Sequence, residues 1–288
     1  MLQAKITVVV TSYNYGQFII VALESVAKQT FSDFECIILD DGSIDNTKEI
    51  VTKWVKKDTR FKYYYQENTG VSKARNNAIK MASSEYILPL DADDKISKNY
   101  LEECYNIIAF NSDVKVVYGA SYLLNKPNKK WNLDNYNFED LLYKNMLHCT
   151  SLFRKKDWER IGGFDEKLTV GLEDWEFWIH LLKSGGEVVK INSCKFYYRI
   201  KEQSLNVTMI NNSYGYDSRL YIFNKHIESY RKTNFYDMYF ENYRLKKKID
   251  NPLSYMPSSH LLILFFKSLK ENIQSFVVKV KRKFTKRN

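Results

Sequence analysis

The stretch ILPLDADDKI, residues 87–96, places Asp91, Asp93 and Asp94 within four positions directly after an apolar run. Three carboxylates so close repel one another, and no Lys or Arg precedes them, so the cluster predicts a positive charge from elsewhere. Hard divalent cations take carboxylate oxygens, and Mg2+ is typically held by one or two carboxylates plus substrate phosphates. Asp91 and Asp93 fall on one side of an extended chain, which suits a metal or a ribose beside a metal. The expected cation is one carried in on a diphosphate. Two acidic pairs accompany this cluster: Asp40 and Asp41 in DDGS, at another strand-like end, and Glu173 and Asp174 in LEDWEFW, at the start of a helical pattern. Neither GxGxxG nor GxxxxGK[ST] occurs. The first turn reads TSYNYG, so a glycine-rich cradle is not what would hold phosphate.

The elements that must position these groups alternate in period over the first hundred residues. KITVVVTS is continuous and β-branched, like a strand buried on both faces. GQFIIVALESVAKQT repeats its apolar residues at helical spacing. FECIILDDGS, FKYYYQEN and EYILPLD read as further strands, with DNTKEIVTKWVKKD and GVSKARNNAIKMA as helices between them. Ser43 or Asp45 is the expected cap of the first of these, and Ser97 that of SKNYLEECYNIIAF. VKVVYGA follows as a strand. Such alternation predicts an α/β fold with a doubly wound, mostly parallel central sheet. Ligands then bind beyond the carboxyl ends of the strands, which is where TSYN, DDGS and DADD all fall. After about residue 120 the pattern shortens. FEDLLYKNML reads as helix, SLFRKKDWERIGGF as strand then helix, and LEDWEFWIHLLKSG as a helix ended by Gly185. EVVKIN and KFYYRI read as two strands, and a helical, Tyr- and Lys-rich appendage runs to the C-terminus.

Composition bounds the rest. The 288 residues are 44% hydrophobic and 27% charged, with four Pro and ten Gly, which is globular. Cys36, Cys104, Cys149 and Cys194 form no CxxC pair, which excludes the usual zinc and thioredoxin spacings and fits reduced thiols. MLQAKITVVV lacks the pattern of a secretory leader, so the expected location is cytoplasmic, and the glycosylation-like NVT at Asn206 reads as chance. The net charge of +10 is concentrated in the tail VVKVKRKFTKRN. Before it, HLLILFFKSLKENIQSFVV is amphipathic but far short of the about 20 apolar residues of a spanning helix. The pair predicts an interfacial helix with polybasic support, peripheral at the inner face of the cell membrane; a helix packed on its own domain is the plainer alternative. No zinc-finger or RNP-like signature accompanies the basic tail, so nucleic acid is not an expected partner.

Seven stretches occur in order: ITVVVTSYN, SVAKQTF, FECIILDDGSIDNT, NTGVSKARNNAI, EYILPLDADD, IGGFDEKL and GLEDWEFW. Together they resemble the inverting family 2 glycosyltransferases, which have the nucleotide-diphospho-sugar transferase (GT-A) fold, over about residues 5–200. DxD alone is common; the ordered set is specific. The resemblance implies a catalytic domain over 1–210, with a nucleotide-binding part to about 120 and an acceptor part to about 210. The helical, basic region 211–288 lies outside it. It further implies that Thr11 and Tyr13 line the base pocket and that Asp41 accepts from a pyrimidine N3–H, favouring a UDP- or dTDP-sugar. Arg75 would lie near base or phosphates, Asp91 at a ribose hydroxyl, and Asp93 on a Mn2+ or Mg2+ ion bridging the diphosphate. Asp174 would be the general base on the hydroxyl of a saccharide or lipid-linked saccharide.

Each assignment has a plainer rival. Asp41 could be a turn former before Gly42, as Asp40 is taken to be, and Glu173 and Asp174 could simply favour a helix N-terminus. Asp94 is expected to bind backbone. Trp175 and Trp178 could line the acceptor side or the core, and His148 could touch the acceptor or be structural. The sequence departs from the family pattern at YYRIKEQS, where Lys201 stands in place of a His that can complete the metal site. An ammonium cannot ligate a metal, so Lys201 is expected either to leave the ion to Asp93 or to meet the diphosphate itself, beside Arg199. Loss of turnover in a nucleotide-sugar-binding module is the alternative function.

Overall fold

The computed structural model describes residues 3–169, 171–201 and 214–233. The chain divides into two compact units, Met1–Tyr230 and Arg231–Asn288. The amphipathic segment and polybasic tail expected to meet a membrane lie outside the described residues. Among the described residues no helix is long and apolar enough to cross a membrane.

The first half of the sheet follows the expected alternation. Strands β1 (Ile6–Ser12), β2 (Phe34–Asp41), β3 (Phe61–Gln66) and β4 (Tyr86–Asp91) are joined by helices α1 (Gly16–Ala27), α2 (Thr47–Val55) and α3 (Val71–Met81). They lie in the order β3-β2-β1-β4, all parallel. Every residue of β1 and β2 is buried, which is why their sequences show no alternation: both faces carry helices. The chain winds outward from β1 to β3, then crosses back to place β4 on the other side of β1. That reversal opens a crevice at the carboxyl ends of β1 and β4.

The second half is mixed. After β5 (Lys95–Ile96) and α4 (Tyr100–Ile108) come β6 (Val114–Leu123), β7 (Lys126–Lys130), α5 (Phe138–Leu141), β8 (Leu152–Arg154), α6 (Lys155–Ile161), α7 (Glu173–Leu182) and β9 (Glu187–Tyr198). The short strand β8 enters between β4 and β6 and is antiparallel to both. EVVKIN and KFYYRI, expected as two strands, are one: β9 runs parallel to β6 and absorbs a register shift between Gly119 and Ala120. The helix expected over FEDLLYKNML is only one turn, its first amides capped by Asn137 Oδ1. The expected caps also differ. Asn46 and Asn99 stand at the N-cap positions of α2 and α4. Asp45 instead joins two helix starts, accepting from Gly16 N at 2.9 Å and Thr47 N at 3.0 Å.

Helices α8 (Tyr214–Lys225) and α9 (Ile227–Arg231) follow, and the first compact unit runs past residue 210 to include most of them. Tyr221 and Lys225 donate to Asp165, and His226 Nε2 lies 2.7 Å from Glu176 Oε1. All four cysteines are free thiols.

One buried side chain fastens the two halves. Asn76 of α3 donates from Nδ2 to Phe164 O at 2.8 Å and to Glu166 Oε1 at 3.1 Å. Its Oδ1 accepts from Phe164 N at 2.9 Å and Trp158 Nε1 at 3.2 Å. The loop reaches it through Gly162 and Gly163, both at positive φ. A Cβ on Gly163 would stand 2.6 Å from Asn76 Oδ1. Asn76→Ala strands two backbone groups and an indole N–H in the interior. A stability loss on the order of 3 kcal/mol is expected, read as a lower urea midpoint at unchanged slope.

Candidate active site

Register brings the strand-end clusters together. Thr11 is paired with Leu39 on β2 and with Asp91 on β4. Asn14, at a φ of +57°, fastens TSYN to DDGS: its Oδ1 accepts from Ile44 N and its N–H donates to Ser43 Oγ, both at 2.8 Å. Gly42 turns at a φ of +85°, and a Cβ there would stand 2.7 Å from Asn68 N. Tyr13 is 48% exposed on these loops, a free aromatic face of the kind a base could stack on.

The two aspartates of β2 serve different partners. Asp40 accepts from Ser43 N and Tyr63 Oη, a structural role. Asp41 accepts from Gln66 Nε2 at 2.7 Å, Thr69 N at 3.0 Å and Gly70 N at 2.9 Å. It thereby anchors the loop into α3, and a base N–H would have to share it with those donors.

Arg75 is the hub. It is 2% exposed, and its Nη2 donates to Asp91 Oδ1 at 2.7 Å while Nη1 donates to Glu173 Oε1 at 2.6 Å. Its guanidinium carbon lies 5.6 Å from the centre of the Phe164 ring. The sequence placed Arg75 near base or phosphates; the structure shows it tying the tip of β4 to the start of α7. Asp174 follows. Its Oδ1 accepts from Trp175 N at 2.7 Å and its Oδ2 from Asn145 Nδ2 at 3.0 Å. Burial first, and then the charge of Glu173, push its carboxyl up to about 7 against the pull of Arg75. The backbone enters α7 through Leu172 at a φ of +65°, a conformation that stores strain in a non-glycine residue.

The acid cluster does not wait for an outside charge alone. Asp93, 7% exposed, has Lys201 Nζ 2.6 Å from its Oδ2. Burial and the charge of Asp91 raise its carboxyl, with Lys201 opposing. Lys201 also donates to Tyr15 Oη at 2.5 Å. Burial lowers the Lys201 pKa, but Asp93 and Tyr15 outweigh it and hold the ammonium above its usual value. Asp94 accepts from Arg199 N at 2.8 Å, the backbone role expected for it. The Arg199 side chain donates from Nε to Asp93 O and lies over Phe18.

A divalent ion fits this donor set in one way. Asp91 and Asp93 each give one carboxylate oxygen to an internal cation, and their second oxygens receive no hydrogen bond from another described residue. Among the described residues no group of three His, Cys, Asp or Glu side chains converges on one point. The residues therefore suit an ion that brings phosphate ligands with it, not a closed protein cage.

Other expected residues lie elsewhere. His148 is buried against Phe196, with Nε2 3.2 Å from Gly119 O. Burial holds its pKa down at about 4, a neutral core imidazole. Trp175 is interior and donates from Nε1 to Leu141 O at 2.6 Å, so its ring has a structural anchor and not an open face. Trp178 is fully buried. Sequence reasoning missed Tyr15 and Asn145. Tyr15 sits in the quoted turn TSYNYG, but only the return of β9 gives it a cation; nothing in YKNMLH marks Asn145.

Residues 7–165 match the family described as glycosyl transferase family 2, and residues 132–203 match the N-terminal domain of galactosyltransferase. Chondroitin synthase of Pasteurella multocida is 27% identical over 251 residues, 76% of this chain and 26% of that protein. The chain spans between 26% and 39% of the length of three curated relatives that it matches. Among solved structures, S. aureus TarS 1–349 in complex with UDP-GlcNAc aligns with a TM-score of 0.61 at 22% identity, covering 78% of this chain and 72% of that one. The Pyrobaculum calidifontis mannosyltransferase PcManGT in complex with GDP-Man and Mn2+ aligns with a TM-score of 0.61 at 17% identity, covering 93% and 81%. These likenesses show the GT-A fold, and the sequence match covers more than half of the chain. The chain belongs to glycosyl transferase family 2.

Proposed function

We propose that the protein is an inverting glycosyltransferase that moves a sugar from a UDP- or dTDP-sugar to a saccharide or lipid-linked saccharide during polysaccharide synthesis. The observation that carries this reading is the ionic line from Asp91 through Arg75 to Glu173, which ends beside Asp174. It fixes a donor-side carboxylate and a half-buried base carboxylate in one rigid frame. The chondroitin synthase and TarS likenesses support a saccharide product and a uridine nucleotide, respectively.

In this reading Thr11, Tyr13 and Asp41 take the base, Asp91 the ribose, and Asp93 holds Mn2+ or Mg2+ together with the diphosphate. The ion would act as a Lewis acid on the phosphate oxygens as charge gathers there. A sugar hydroxyl is a poor nucleophile until its proton is removed, and Asp174 takes that proton as the hydroxyl attacks. Displacement from the face opposite the diphosphate inverts the anomeric centre. Asn145 and the Trp175 amide hold the carboxylate in line, and burial, adjusted by Glu173 and Arg75, sets its proton affinity. The basic amphipathic segment before the C-terminus would seat the enzyme on the anionic cytoplasmic face of the membrane.

Asp174 accepts a proton only when ionised. Because its carboxyl is raised to about 7, kcat/KM is expected to rise about tenfold per pH unit below that point and to level off above it. Asp174→Asn should lower turnover by about 10²- to 10⁴-fold while UDP affinity is unchanged. Full turnover in that variant rejects the assignment. With Mn2+ present, Asp93→Ala should lose both turnover and the metal-dependent part of UDP binding by calorimetry. UDP binding without transfer to any acceptor would favour the binding-module alternative. Flotation with anionic vesicles tests the membrane role: the full chain should rise with them and a chain cut after residue 256 should not.

A further inference from the structure

Lys201 leaves the end of β9 and returns to the acidic tip of β4. Among the described residues its ammonium meets Asp93 Oδ2 at 2.6 Å, Tyr15 Oη at 2.5 Å and the Tyr15 ring, whose centre is 3.9 Å away, with the Phe18 ring farther off at 5.9 Å. The side chain is 18% exposed and that of Asp93 10%. A carboxylate that deep is expensive without a partner, and among the described residues Lys201 is its ion-pair partner. Tyr15 belongs to the turn after β1, on the nucleotide side of the crevice, while Asp93 faces the place assigned to diphosphate. The ammonium thus stands between the two parts of the donor site.

We propose that Lys201 is a tethered counter-ion of the donor diphosphate. In the ligand-free protein it neutralises Asp93, and on donor binding it transfers to a phosphate oxygen. A lysine suits this exchange, being a compact charge with three donors on a flexible four-carbon stem. Two cations at one carboxylate repel each other, so Lys201 opposes a free metal ion at Asp93. Once phosphate is present the two positive charges share it, and part of the charge on the leaving diphosphate is met by the chain itself. Lys201 therefore opposes metal binding before the nucleotide arrives and strengthens nucleotide binding when no metal is present. A merely structural lysine would not have this signature.

This inference rests on the nucleotide-sugar reading, and calorimetry separates the two. Wild-type protein and Lys201→Gln are titrated with Mn2+ alone, with UDP in EDTA, and with UDP plus Mn2+. Lys201→Gln is expected to bind UDP in EDTA about ten- to a hundred-fold more weakly and to bind Mn2+ alone more tightly. Lys201→Arg, which keeps the charge, should retain most of the metal-free UDP affinity. Equal UDP affinity of wild type and Lys201→Gln in EDTA overturns the counter-ion and leaves the donor reading standing. If the wild type binds neither UDP nor dTDP under any condition, the donor reading falls and this one with it. Should Lys201→Gln fail to fold with Asp93 unpaired, Asp93→Asn/Lys201→Gln removes both charges. Metal-free UDP affinity of that double variant equal to that of Asp93→Asn alone likewise overturns the proposal.

Discussion

A guanidinium buried between a carboxylate at the tip of β4 and another at the start of α7 governs the site. Taking each ion out of water costs several kcal/mol, so Arg75 is tolerated inside because Asp91 and Glu173 meet it at 2.7 and 2.6 Å. That demand reaches well beyond the three side chains. Helix α3 must be seated so that Arg75 faces the tip of β4, and Asn76, the next residue, grips the backbone of Phe164. Phe164 in turn supplies the ring beside the guanidinium. Gly163 of IGGF, at positive φ and with no Cβ to clash, is what allows the backbone to come so close. One ion triad and one amide thus fix the distance between the nucleotide half and the half that carries Asp174.

The helix bearing Asp174 is held from its other face as well. Glu176, fully buried, pairs with Lys225 at 2.8 Å and with His226 at 2.7 Å. Lys225 also reaches Asp165, and Arg219 lies over the Trp175 ring. Residues 214–230 therefore belong to the same compact unit as α7, although sequence assigned them to an appendage. A carboxylate without exposure needs its partners in place, so these contacts and the seating of α7 stand or fall together.

Much of the first half was legible because its signals are local. Continuous β-branched runs mark strands buried on both faces, and TSYN, DDGS and DADD fall at their carboxyl ends whatever the rest of the chain does. The resemblance carried by seven ordered stretches picked out Thr11, Asp41 and Asp91, which the register brings to neighbouring strand ends. Long-range pairing was not legible. Nothing near residue 91 shows that Arg75 and Lys201 will neutralise it and its neighbour, since those cations arrive from 16 and 108 positions away along the chain. The antiparallel insertion of β8 rests on three residues, too short for a period. Trp175 shows the same limit: its helical spacing fits a ligand face and a core equally, and only the Leu141 carbonyl decides for the core.

The electrostatics of Asp174 follow from how the triad divides its charge. Burial raises its proton affinity, Glu173 raises it further, and Arg75 lowers it. A carboxylate left fully raised would hold its proton at neutral pH, and one fully lowered would take a hydroxyl proton weakly; a pKa near the working pH compromises between the two. Arg75 is shared, so that compromise depends on the donor side. A ligand that occupies Asp91 competes with Arg75 for that carboxylate and leaves more of the guanidinium to Glu173. With Glu173 better neutralised, its repulsion of a charged Asp174 weakens. Occupancy at the tip of β4 therefore favours the ionised form of Asp174, through the buried guanidinium of Arg75.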